Sequence, residues 1–108
     1  MYDKTLDLAS LALDASLLRH QAIATNIANV NTSGYQTMEV NFEQQLKQFA
    51  GNSNQDAHPF LQAATTDLSL DDQLTLSVKN ATHYRALIKG LNQKLALMKL
   101  ALHGNNQS

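Results

Sequence analysis

The sequence predicts an all-α chain: two long terminal helices packing as a coiled-coil-like pair, joined by a short irregular middle with a short extended segment. Three observations carry this. Hydrophobic residues make up 44% of the chain, and Ala and Leu, both helix formers, dominate them. Only 6% of residues are aromatic and there is no Trp, which argues against a β-rich core. Finally, both ends of the chain keep a helical spacing of apolar residues, and a polar stretch holding Pro59 lies between them. The 108 residues suffice for one small domain, 1–108, divided into an N-terminal helix (6–30), a middle (31–68) and a C-terminal helix (69–103).

In the first element, Asp7, Ser10, Asp14, Gln21 and Thr25 form one narrow polar strip. The rest of the surface is apolar, with Leu13, Leu17, Ile23 and Ile27 among its larger residues. That arc is wider than one partner helix can cover, so the helix is expected to be buried on several sides. It ends in Asn26-Ile27-Ala28-Asn29-Val30-Asn31-Thr32-Ser33-Gly34-Tyr35. Asparagine tolerates left-handed backbone and can bond to freed helix carbonyls, and Ser33-Gly34 supplies a turn.

In the middle, Met38, Val40 and Phe42 alternate, as in a short extended segment. Residues 43–49 return to a helix-compatible pattern, 51–58 read as a loop running into Pro59, and 60–66 favour neither helix nor strand.

The second helix opens at Ser69, with Asp72 three residues on in a capping-box arrangement. A 3–4 spacing then runs through Leu70, Leu74, Ser77, Ala81, Tyr84, Ile88, Leu91, Leu95, Met98 and Leu102, a coiled-coil-type seam at heptad positions a and d. Arg85 and Lys99 fall at e and Lys94 at g. Leu87, Leu97 and Leu100 lie off the seam, Gly90 points outward, and His103-Gly104 reads as a helix stop. Two helices this apolar cannot hide their surfaces in one intramolecular pair, which points to self-assembly.

The net charge of −1 hides an asymmetry. Residues 1–72 hold all nine carboxylates and three cations (−6), whereas 73–108 hold Lys79, Arg85, Lys89, Lys94 and Lys99 and no acid (+5). The two ends should attract each other or a neighbouring copy, the alternative being two solvated helix faces. The chain has no Cys, so disulfides and thiolate metal sites are excluded. The acidic start does not resemble a secretory signal, and no stretch approaches the ~20 apolar residues of a membrane span. His20, His58, His83 and His103 lack ligand spacing, no nucleotide-binding or nucleophile motif occurs, and the cations spread around one helix rather than forming a nucleic-acid patch. No metal, cofactor, catalytic residue, nucleic-acid partner or direct membrane insertion is expected.

The stretch Ala24–Leu46, ATNIANVNTSGYQTMEVNFEQQL, resembles the N-terminal signature of bacterial flagellar axial proteins through Asn26, Ile27, Ala28, Asn29, Thr32, Gly34 and Tyr35. The segment LLRHQAIATNIAN and the pair Asn41-Phe42 are most similar to the proximal-rod members of the flagellar basal-body rod family, and Asn80–Leu102 resembles that family's terminal helix. Ser33 stands where the family usually has Pro, Asn31 and Asn41 where acids are usual, and Gln73 where Glu is common. The resemblance implies a structural subunit, not an enzyme, that joins copies of itself and other rod and rod-adaptor proteins in a torque-transmitting shaft. It also implies passage through the flagellar type III export apparatus without a cleaved signal, to the periplasmic rod. In this reading Asn26 and Asn29 hydrogen-bond to neighbouring subunits, and Leu13, Leu17, Ile23, Ile27, Leu74, Ala81, Tyr84, Ile88, Leu91, Leu95, Met98 and Leu102 pack between subunits. The alternative is a helical chaperone-like or regulatory module of a flagellar or type III secretion system that binds one partner.

Overall fold

The structure, a computed structural model, describes residues 4–44, 47 and 58–106. Two helices, α1 (Lys4–Ala28) and α2 (Leu70–Asn106), flank an antiparallel hairpin of β1 (Met38–Asn41) and β2 (Phe60–Ala63). The loop expected over 51–57 and most of the helical return over 43–49 lie outside the described residues, though Glu43, Gln44 and Lys47 are helical.

The capping signal at the start of α2 is realised: Asp72 N–H donates to Ser69 Oγ (3.1 Å) and Gln73 N–H to Ser69 C=O (2.9 Å). The stop expected at His103-Gly104 is not: the helix runs through both to Asn106. Gly104 keeps negative φ, and without the left-handed residue that turns a chain out of a helix, the helix continues. At ~1.5 Å per residue, the 37 residues of α2 span roughly 55 Å against about 37 Å for the 25 of α1.

The extended middle becomes a real strand because it finds a partner. Met38, Glu39, Val40 and Asn41 pair with Ala63, Gln62, Leu61 and Phe60, and Ala64 N–H extends the ladder to Thr37 C=O (2.8 Å). Sequence pattern leaves 60–66 unassigned because β2 is largely exposed and lacks an alternating apolar face. The inward side chains of β1 make the core: Val40 and Phe42 pack on Ala15, with Leu11, Ala12 and Leu18 around them. The opposite face carries a polar ladder, with Gln62 Nε2 donating to Glu39 Oε1 (2.9 Å) and Asn41 Nδ2 to Gln62 Oε1 (3.0 Å).

α1 thus has two partners within its own chain. One face takes the hairpin, and another takes α2, which runs antiparallel to it. Ser16 bonds to Asn80, while Leu6 and Ala9 lie beside Leu87, Leu91 and Lys94, and Ile23 and Asn26 near Gln73. This division accounts for most of the wide apolar arc, although Leu17 stays exposed.

Candidate assembly surfaces

Two features stand out: a joint where α1 meets the hairpin, and the uncovered apolar surface of α2. The joint begins with the end of α1. Asn29 N–H donates to Thr25 C=O (3.1 Å), Asn29 Nδ2 donates to the same carbonyl (2.9 Å), and Asn29 Oδ1 accepts from Thr32 Oγ1 (3.1 Å). A turn then closes with Tyr35 N–H on Thr32 C=O (3.3 Å), with Gly34 third in the turn at φ +79°. That value is characteristic of a type II turn, in which proline is favoured at the position Ser33 holds. The turn therefore forms with Ser33 in place of the family's usual proline.

Asn26 is the centre of the joint. It is 5% exposed, on the last full turn of α1. Its Oδ1 accepts from Tyr35 Oη (2.7 Å) and from Met38 N–H (3.1 Å), and its Nδ2 donates to Met38 C=O (2.8 Å). The side-chain amide thus stands in for a third strand, taking both backbone groups of Met38. Arg19 adds an outer tie through Glu43 (2.8 Å). Within the chain both amides, Asn26 and Asn29, take part in hydrogen bonds. Ile27 is half-buried on the same turn, while Ala28 is exposed at its end.

Along α2 the residues expected in one seam divide. Ala81, Tyr84, Ile88 and Leu91 are half-buried, whereas Leu74, Leu95, Met98 and Leu102 are exposed. The face turned to α1 instead carries Gln73, Asn80, Leu87 and Lys94, all at heptad position g, together with Leu91. Periodicity finds the helix but cannot say which of its apolar stripes its own chain will cover. On α1, Ile23 is buried, Leu13 half-buried and Leu17 exposed. Towards the end of α2, Leu97 (65% exposed), Leu100 (68%) and Leu102 (64%) stand in solvent on several sides of the helix. An open cleft of about 700 Å³ lies between α1, the hairpin and the start of α2, lined by Ile23, Met38, Leu68 and Leu76. Gln73, 3% exposed, also lines it, and its Oε1 has no hydrogen-bond partner.

Residues 6–36 match the family model for "Flagella basal body rod protein". Over this segment, less than a third of its length, the chain is similar to flagellar basal-body rod proteins. The matched segment coincides with α1 and the turn that delivers Tyr35 to Asn26, so the family signature covers most of the joint described above. No curated protein matches the chain. No described helix is long and apolar enough to cross a membrane.

Proposed function

We propose that this chain is a structural subunit of the proximal rod, one rod-protein domain that stacks with copies of itself and with related rod and rod-adaptor proteins to form the torque-transmitting drive shaft. The observation that carries the reading is the apolar set on α2 that stands exposed among the described residues: Leu74, Leu95, Leu97, Met98, Leu100 and Leu102. Each ~100 Å² of such surface withdrawn from water contributes roughly 2.5 kcal/mol, so contacts between copies have a ready source of free energy. The cationic character of α2, with Lys79, Arg85, Lys89, Lys94 and Lys99, suits an acidic neighbouring surface such as that around Asp14 on α1. In this reading the chain reaches the periplasm through the flagellar type III export apparatus.

Deletion of the chain, followed by a motility assay and electron microscopy of purified basal bodies, tests the reading. The expected result is non-motile cells whose basal bodies lack an intact rod. Intact rods without the chain would overturn it.

A further inference from the structure

We infer that the Ser16–Asn80 pair is the register lock of the helix pair: it selects one axial alignment of α1 and α2 that apolar packing alone leaves degenerate. Ser16 is 1% exposed, at the middle of α1. Its Oγ donates to Asn80 Oδ1 (3.2 Å), and Asn80 Nδ2 donates to the Ser16 carbonyl (2.8 Å). The two bonds join residues 64 apart in sequence and cross directly from one helix to the other.

The degeneracy follows from the repeat. The α2 contact positions Gln73, Asn80, Leu87 and Lys94 recur every seven residues, as do Ser77, Tyr84 and Leu91. On α1 the contact face is Leu6, Ala9, Ser16 and Ile23 with their small neighbour Ala22. A slide of α2 by one heptad, about 10 Å at ~1.5 Å per residue, keeps the same stripe of α2 against α1 and brings Leu87 or Gln73 opposite Ser16. It also carries the half-buried Asn80 amide away from the buried Ser16 hydroxyl, so that both bonds between the helices are lost. Chain connection does not forbid the slide. Residues 65–68, which lead into α2, are exposed. The alignment has a consequence at the far end, because it sets how much of α2 projects beyond α1 and hence where Leu97, Leu100 and Leu102 stand.

The native chain has no cysteine, so two introduced cysteines can carry spin labels alone. Gln21→Cys on α1 and Gln93→Cys on α2 replace exposed residues far apart along the pair. Double electron–electron resonance on the full chain, diluted with unlabelled chain, reads the alignment. With Asn80 present a single narrow distance distribution is expected. In Asn80→Leu a second population should appear, displaced by about 10 Å, one heptad of helix rise. Asn80→Ala, with the better helix former, should show the same second population. An unchanged single distribution in both variants would overturn the inference. So would loss of helical circular dichroism in both, since Asn80 would then act on stability alone. Neither readout depends on rod assembly.

Discussion

Asn26 concentrates the physics of the joint in one side chain. A buried amide that accepts two hydrogen bonds and donates a third fixes the end of α1, the ring of Tyr35 and the edge of β1 together. Its removal would not merely delete three bonds. It would strand the N–H and C=O of Met38 where water reaches poorly, at about 1–3 kcal/mol for each group left unpaired. Asn26→Ala is therefore expected to destabilise the chain by about 2–4 kcal/mol in urea unfolding. Asn29→Ala, which removes only an exposed cap at the helix end, should cost about 1 kcal/mol or less. Equal effects of the two substitutions would show that Asn26 is only another cap. The composition of this stretch announces a helix end and a turn, and both are present. That Asn26 reaches twelve residues forward to Met38 was not legible, because the contact exists only once the hairpin lies beside α1.

At the scale of elements, both helices and the first strand follow from local signals: the polar strip of α1, the Ser69 cap of α2 and the alternation of Met38, Val40 and Phe42. The elements the sequence does not disclose are those defined by a partner. β2 becomes a strand through pairing with β1, and α2 meets α1 along its g positions. Asn80 illustrates the point, since a lone asparagine at a g position looks like a solvated residue until Ser16 is opposite. Gly90 offers a test of how loosely this pair is packed. It lies inside α2 beside Leu6, Ala9 and Leu91, yet a Cβ built there meets no atom within 4 Å. Glycine in a helix interior costs about 1 kcal/mol relative to alanine. Gly90→Ala should therefore stabilise the isolated chain by roughly that amount, seen as a higher urea midpoint at unchanged slope. A lower midpoint would mean that the crevice closes on Gly90 in solution.

The whole molecule is a blade. Its radius of gyration is 17.8 Å, where a compact chain of about this size would have roughly 13 Å. Its extents are 66 × 29 × 13 Å, so the thinnest dimension is close to one helix diameter of ~10–12 Å. A body this thin cannot enclose a large core, and the buried apolar residues among those described are few: Ala15, Ala22, Ile23, Val40 and Phe42. Much of the apolar surface is left to contacts outside the chain. This separates two substitutions that periodicity alone treats as equivalent. Leu91 is half-buried in the α1–α2 contact, so Leu91→Asp should weaken the isolated chain by on the order of 1–3 kcal/mol and lose assembly as a consequence. Leu95 is 47% exposed, so Leu95→Asp should leave the isolated chain within about 0.5 kcal/mol of its parent. It should nonetheless abolish motility and the concentration-dependent polymers seen by sedimentation, because the charge would be buried only when a second subunit arrives. A folded, motile Leu95→Asp strain would remove this stretch of α2 from the subunit contact, whereas unfolding of the isolated variant would show that Leu95 is already packed within its own chain.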